Sequence, residues 1–487
     1  MEIYTKVVGA VSGFLYQPYI VPLFLILAGL ILTFGTKFIQ FRCLKESFRV
    51  VNEKPGEDGG ISSFRALMVS TASRVGTGNI IGVSAAIIMG GFGAIFWMWI
   101  TAILGGASAF VESTLAQIYK RRDKDGTCYG GPSYYMETAL KQRWLGVIFA
   151  VIIILTYAVG YNMLASFNLQ SCFEAFDFYG ATVGDVKIVP IIIGAILGVL
   201  FLVIVLGGGK RLTKVTGVLV PIMGALYILV SLVVLGINYK FIPAMFAEIF
   251  RSAFDFKAIF GGFFGSCIMW GIKRGLYSNE AGMGSAPNAA ATADVSHPAK
   301  QGLVQMLSVF IDTLLVCTAT AFMCLSGQLK VGGTDLTAYI DANGDALSAL
   351  FVQDSISASL GSFGPIFIAV SLTLFAFTTL IGNYYYCEGC LRFILKRDPS
   401  KALLTVFRIV AAVLVGVGAV LSAGIVWDTA DMLQGLMVVI NIPVILILAK
   451  PAFKCLEDYM KQRKEGKEPT YNAKACGVEQ ATDYWHA

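Results

Sequence analysis

Within an otherwise apolar stretch, residues 70 to 79 read Ser-Thr-Ala-Ser-Arg-Val-Gly-Thr-Gly-Asn. Two glycines flanking Thr77 beside Asn79 loosen a helix and add hydrogen-bonding groups that packing alone does not require. Lipid tolerates an unwound backbone only where its amides and carbonyls line a cavity or hold a ligand. Amides at the start of the following half-helix suit a carboxylate, which makes Gly76, Thr77, Gly78 and Asn79 candidates for binding one. Carbonyls ending the preceding half suit a cation, which points to Ala72 and Val75. The plainer alternative is that the glycines only let helices approach closely, the reading that fits Gly194 and Gly198.

A sodium ion takes several oxygen ligands, and hydroxyls with carbonyls supply them without a carboxylate. Thr378 and Thr379, with the carbonyl of Phe375 one turn earlier, direct three oxygens toward one region of a helix. Read alone, these threonines fit better a bond back to their own helix carbonyls. Phe167, Asn168 and Gln170 lie deep in another apolar segment, where an amide needs a partner. Gln170 offers an acceptor to an ammonium group, and Phe167 and Trp270 are suited to wall a small pocket; helix-to-helix bonding is the competing role.

Charges inside or near apolar segments are functional suspects: Arg74, Glu112, Lys273, Arg274, Glu280, Asp312, Glu388 and Arg408. Arg74, one residue before the Val75-Gly76 interruption, calls for an acidic partner such as Glu280 or Asp312. Two histidines, His297 and His486, are too few for most zinc sites or acid-base triads. Cys387 and Cys390 have redox spacing but sit in an apolar helix, where a structural role is expected. Gly207-Gly208-Gly209-Lys210 lacks the earlier glycine of a phosphate-binding loop and reads as a turn.

These residues need a scaffold, and the composition names its kind. The 487 residues are 56% hydrophobic and 14% charged, with a mean hydropathy of +0.72. That is too little charge to coat a water-soluble globule, so the chain is an all-α polytopic membrane protein. The net charge of +6 is spread over loops between apolar segments, which argues against nucleic-acid binding. Apolar stretches recur near 16–36, 63–90, 93–119, 145–176, 187–206, 213–236, 258–285, 301–327, 361–390, 402–423 and 430–449, predicting eleven crossings of the bilayer. No removed signal peptide is read at the N-terminus. The lysines and arginines concentrate in the loops 37–62, 120–144, 207–214, 286–301 and 391–403 and in the tail from Lys450. The C-terminus is therefore expected in the cytoplasm and the N-terminus outside. The acidic segment 328–360 is expected to be an external loop with a short amphipathic helix, and the tail a partly disordered membrane-surface segment.

The predicted organisation is an N-terminal helix with linker (1–62), two five-helix halves (63–236 and 258–449) joined by an external connection (237–257), and a cytoplasmic tail (450–487). Each half opens with a glycine-rich, polar-interrupted helix, the second at Gly261-Gly262-Phe263-Phe264-Gly265-Ser266-Cys267. Since the halves begin on opposite sides, the repeat is inverted, and paired broken helices of this kind mark transporter sites.

Two longer motifs resemble a known family. Gly90-Gly91-Phe92-Gly93-Ala94-Ile95-Phe96-Trp97-Met98-Trp99 through Leu104-Gly105-Gly106, and Ser278-Asn279-Glu280-Ala281-Gly282-Met283-Gly284-Ser285-Ala286-Pro287, are similar to the characteristic segments of the alanine or glycine:cation symporters, also called sodium:alanine symporters. The resemblance runs from about residue 16 to 450. It implies one extra helix before a five-plus-five inverted repeat, and import of alanine, glycine or similarly small amino acids driven by sodium. It also implies that Thr378 and Thr379 match a Thr/Ser pair that meets carbonyls of the first broken helix around sodium. Asn79 matches a residue that binds a second sodium in some relatives, whereas Arg74 departs from the small residue expected there. Its guanidinium would stand in for that ion, leaving one sodium site. Ser266, Cys267, Ile268, Met269, Trp270 and Gly271, at the second interruption, would close over the substrate side chain.

The expected activity is therefore secondary active transport of small neutral amino acids with sodium as co-substrate, no other cofactor, and no enzymatic step. Proton coupling through Glu280, Asp312 or Glu112 is the nearest rival. A channel is a more distant one, because neither a selectivity-filter run nor an arginine-rich voltage helix is present.

Overall fold

The structure is a computed structural model, describing residues 2–53, 61–122, 126–255, 267–333, 336, 339–340, 347–474, 476–478 and 484–485. Its main helices are α1 (Glu2–Leu15), α2 (Val21–Gly35), α3 (Leu44–Val51), α4 (Ser63–Arg74), α5 (Ile81–Gly90) and α6 (Gly93–Ile118). They continue with α7 (Arg143–Ala175), α8 (Ile188–Val205), α9 (Gly208–Ile237), α10 (Ile242–Ala253), α11 (Cys267–Asn279) and α12 (Pro298–Val331). The chain ends with α13 (Leu347–Leu360), α14 (Phe363–Leu395), α15 (Lys401–Gly418), α16 (Ala423–Ile447) and α17 (Ala449–Lys464).

Eight of these, α6 to α9, α12 and α14 to α16, are long and apolar enough to cross a bilayer, and α4 with α5 makes a ninth crossing if the bent pair is counted as one. Of the eleven crossings expected, those near 16–36 and 258–285 correspond to the shorter helices α2 and α11. Burial sorts the bundle into layers. Only 33%, 28% and 22% of the most apolar window is buried in α8, α9 and α15, against 67% in α12 and α14. The outer three present Ile192, Ile196, Val199, Ile222, Leu229 and Val413 outward, as a surface solvated by lipid chains does. Gly194 and Gly198 on α8 sit against Ala419, Gly416 and Ala412, so in this pair the glycines do serve close packing.

The first interruption is a true break. After Arg74 the chain leaves the helix at Val75, Gly76 is extended, Thr77–Asn79 forms one 3₁₀ turn, and α5 departs at 58° to α4. A second unwound stretch follows α11: Glu280, Gly282 and Gly284 have φ of 55°, 84° and 80°, a left-handed conformation that glycine adopts freely and glutamate rarely. It lies beyond the interruption expected at Gly261 to Cys267. Gly261 to Ser266 lie outside the described residues, and Cys267 to Gly271 are regular α-helix. Two helices contain π-helical stretches, Leu155–Gly160 in α7 and Phe310–Cys317 in α12, features that tend to accompany functional sites.

The acidic segment contributes α13, which buries Phe351, Val352 and Ile356 against the bundle. The tail differs from the membrane-surface segment expected. It forms α17 and then returns across the bundle face on which α17 lies, called the tail face below, burying Ala473, Cys476 and Val478. Apolar side chains in that stretch give a polar-looking tail enough contact to fold against the bundle.

Candidate functional site

The two unwound stretches meet at the centre of the bundle. Asn79 turns its Oδ1 back to accept the Gly76 N–H at 2.8 Å, which closes the first break on itself. Its Nδ2 donates to Asp312 Oδ1 at 2.7 Å and to Ser278 Oγ at 3.0 Å, and its carbonyl accepts Thr320 Oγ1 at 2.7 Å. Ser278 and Thr313 donate to the other Asp312 oxygen, at 2.7 and 2.8 Å. Asn79 is therefore a positioning residue tied to α11 and α12, and its side chain is committed to the protein rather than to a ligand. Gly76 likewise has its amide engaged, which leaves Thr77 and Gly78, first in the turn, as the N–H groups without an acceptor in their own helix.

Thr77 Oγ1 accepts Asn168 Nδ2 at 3.1 Å and lies 3.4 Å from the Tyr277 hydroxyl. Gly78 is pressed onto the Tyr277 ring, where an added Cβ would come within 2.7 Å. Tyr161 and Trp427 pack edgewise on Tyr277 with centroids 5.0 and 5.3 Å away. Asn168 Oδ1 is buried and has no hydrogen-bond partner. Of the residues expected in α7, this neighbour of Gln170 is the one that reaches the break.

Gln170 and Phe167 lie on another face of α7, in the wall of an outer cavity of about 970 Å³ shared with Glu174, Tyr179 and Lys187. Gln170 Oε1 accepts the Tyr179 hydroxyl at 2.6 Å. Cys267 to Gly271 are likewise away from the break. At 1.5 Å per residue they stand about 9–15 Å along α11 from Tyr277. Trp270 packs its Cβ beside Gly90, Gly271 sits against Ala94 and Trp97, and Cys267 lies near Ser252 and Ala253. Ser266 lies outside the described residues.

On the opposite side of the break, α14 crosses α4 closely: an added Cβ at Gly382 would meet Ser73 N at 2.4 Å and the Ala72 carbonyl carbon at 2.9 Å. One turn earlier on α14, Thr379 Oγ1 abuts Gly76; it is buried and has no hydrogen-bond partner. Thr378 behaves differently. Its hydroxyl donates to the Leu374 and Phe375 carbonyls, each at 3.1 Å, the bond back to the helix weighed above. Of the five cation candidates, Ala72, Val75 and Thr379 are thus gathered at the break, while Phe375 and Thr378 are bonded to each other.

The three carboxylates named as proton-coupling candidates, Glu112, Glu280 and Asp312, brace the two breaks, while the fourth suspect, Glu388, pairs with Arg408. Glu112 accepts the N–H groups of Gly282 and Gly284, at 3.4 and 3.1 Å, and Asn441 Nδ2 at 2.9 Å. Glu280 lies 3.0 Å from Ser73 Oγ and accepts Ser285 Oγ at 2.8 Å, while Ser73 also contacts Asn383 at 2.6 Å. Arg74 does not form the expected ion pair: its Nη1 donates to Gln305 Oε1 at 3.2 Å, and among the described residues no carboxylate lies within 4.0 Å. Arg274 instead forms a two-pronged pair with Asp431, at 3.2 and 2.9 Å, with Lys273 at 2.8 Å from the same carboxylate. Trp427 stacks over the Arg274 guanidinium at 4.1 Å. Asp431 was not among the sequence suspects; a single acidic residue near the start of the apolar stretch 430–449 was the available signal.

Comparison with known proteins places these features in a family. The model of the sodium:alanine symporter family matches residues 1–473. The amino-acid carrier protein AlsT of Bacillus subtilis (strain 168) is 44% identical over 93% of this chain and 92% of its own length. The probable sodium/glutamine symporter GlnT of the same strain is 43% identical over 96% and 94%. The crystal structure of MhsT in complex with L-phenylalanine matches with a TM-score of 0.52 at 15% identity, covering 88% of this chain and 94% of that one, and so shares the fold. On these matches the chain belongs to the sodium:alanine symporter family: it is a multi-pass membrane protein, a sodium-coupled amino-acid symporter and not an enzyme.

Proposed function

We propose that the protein imports small neutral amino acids, alanine and glycine foremost, by sodium symport with alternating access. The observation that carries this reading is Thr379 Oγ1, buried without a partner against the Gly76 break. A buried hydroxyl that nothing satisfies is costly, and a cation is one way to satisfy it. Carbonyls of Ala72 and Val75 end α4, where the helix dipole favours positive charge, and with Thr379 they supply neutral oxygens suited to sodium. Phe375 and Thr378 back this set from the same helix.

The substrate carboxylate is assigned to the N–H groups of Thr77 and Gly78, and the ammonium group to Asn168 Oδ1. Tyr277, Tyr161 and Trp427 crowd the space beside Gly78, which favours a small side chain. Sodium at the end of α4 would hold the break in the geometry that presents those amides, so that each ligand strengthens the other. The Arg274–Asp431 pair, farther along α11 toward the face opposite the tail, serves as the gate on that side. The excess of Lys and Arg in the tail-face loops supports a cytoplasmic C-terminus and an external N-terminus.

The test is uptake of labelled alanine, glycine and glutamine into proteoliposomes of purified protein, under an inward sodium gradient or with potassium at matched pH. Concentrative uptake of alanine and glycine only with sodium is expected. Accumulation that follows a proton gradient without sodium would discard the cation site, and equal accumulation of glutamine would discard the small-substrate reading.

A further inference from the structure

The tail beyond α17 is tied into the part of the bundle that a tail-side opening would have to move. The inner end of the first broken helix and the stretch following the second are joined directly: Asp294 N–H donates to the Ile61 carbonyl at 2.8 Å. The end of α6 grips the same stretch, with Gln117 Nε2 on the Ala290 and Ala293 carbonyls and Lys120 Nζ on Ala293 at 2.9 Å. Onto this junction the tail places four anchors. Tyr484 donates its hydroxyl to Asp294 Oδ1 at 2.8 Å, and Trp485 Nε1 donates to the Gln117 carbonyl at 2.7 Å. Tyr471 N–H donates to the Ser296 carbonyl at 3.0 Å, and Ser296 Oγ donates back to Pro469 at 2.7 Å.

Lys120 is fully buried and holds its ammonium 3.6 Å from the centre of the Tyr484 ring and 5.1 Å from that of Trp485, an arrangement in which the aromatic faces replace water around the charge. At the root of the tail, His297 caps α12 by accepting the Ala299 N–H on Nδ1, and its Nε2 meets Asp458 of α17 at 3.2 Å. Tyr459 donates to Glu46 of α3 at 2.6 Å, and Lys300 of α12 bonds Glu468 of the tail as well as Glu53. The tail thus bonds to α3, to the 294–296 stretch, to α12 and to the end of α6. Both aromatic anchors at its tip lie past residue 473, outside the stretch the family model matches.

We propose that the C-terminal tail is a latch on the tail-side gate, and that it must let go of the Asp294–Ser296 stretch and of Lys120 before the inner ends of the two broken helices can separate. The proposal rests on the alternating-access reading above. Its consequence is a shift in population: a latched chain spends less of its time open toward the tail face, and loosening the tip raises that share without altering either ligand site.

The test compares the full chain with the double variant Tyr484→Ala/Trp485→Ala by hydrogen–deuterium exchange in nanodiscs, alongside sodium-dependent alanine binding. Residues 61–66 and 290–297 are expected to exchange severalfold faster in the variant, with α5 and α13 unchanged and the affinity for alanine at saturating sodium within about twofold. Lys120→Met, which keeps the stem and removes the charge, is expected to reproduce the faster exchange. Exchange at 61–66 and 290–297 that matches the full chain in both variants overturns the latch. Faster exchange spread over the whole chain also overturns it, since the tip would then be a general stabiliser. A failure of sodium to promote alanine binding in the unaltered chain would instead fall on the proposed function.

Discussion

Thr379 Oγ1 stands where a side chain at position 76 would begin: an ideal Cβ built on Gly76 would lie 1.9 Å from it. A methyl group there must push α14 away from the first break, and overpacking of this kind costs about 1–3 kcal/mol or more. Gly76→Ala is expected to lower the melting temperature and abolish sodium-dependent uptake. Wild-type transport by this variant would mean that α14 does not contact the break in the working protein.

The two adjacent threonines should respond differently. Thr379→Val removes an unpartnered hydroxyl and is expected to raise the sodium concentration for half-maximal uptake by roughly tenfold or more, the scale of an interaction with a charged group, ~1.5–3 kcal/mol. Thr378→Val removes a hydroxyl already bonded to the Leu374 and Phe375 carbonyls and should shift it less than about threefold. Sodium titration of uptake separates the two, and the reverse ranking would move the cation off Thr379.

Asn168 and Gln170 offer a second contrast. Asn168→Ala is expected to raise the KM for alanine by about tenfold or more at saturating sodium, by removing the acceptor assigned to the ammonium group. Gln170→Ala, which alters only the wall of the outer cavity, should leave KM within about twofold. If Gln170→Ala weakens uptake and Asn168→Ala does not, the substrate lies on the other face of α7.

Asp431 holds two cations at once, Arg274 and Lys273. Asp431→Asn leaves both without their carboxylate in a buried setting, a loss worth roughly 3–5 kcal/mol. A clear drop in melting temperature is expected, with partial recovery when Lys273→Gln and Arg274→Gln are added. An unchanged melting temperature in the single variant would show that the cluster is already hydrated and carries little.

The bilayer-spanning helices could be read from composition because lipid imposes long apolar segments, and the first break because four consecutive residues, Gly76 to Asn79, are glycine or polar. The second unwound stretch was harder to read. Gly282 and Gly284 carry no more local signal than the glycines at 261, 262 and 265. What holds them open is Glu112, a carboxylate from a helix 170 residues away in sequence. Asn168 and Gln170 lie two residues apart in regular helix, about 200° around α7, and no local signal says which of the two amides faces the break. The tail was read from its charges, whereas its fold depends on four rings, those of Tyr459, Tyr471, Tyr484 and Trp485, and on partners across the bundle that no local window contains.

Glu112 gives the molecule an asymmetry between its two unwound segments. The amides of Gly282 and Gly284 already donate to a carboxyl group, one that is covalently part of the chain. A visiting carboxylate arriving there would face an occupied cradle. The amides of Thr77 and Gly78 have no such resident. In the proposed site, one segment thus keeps a carboxyl ligand of its own, and the substrate carboxylate is left to the other.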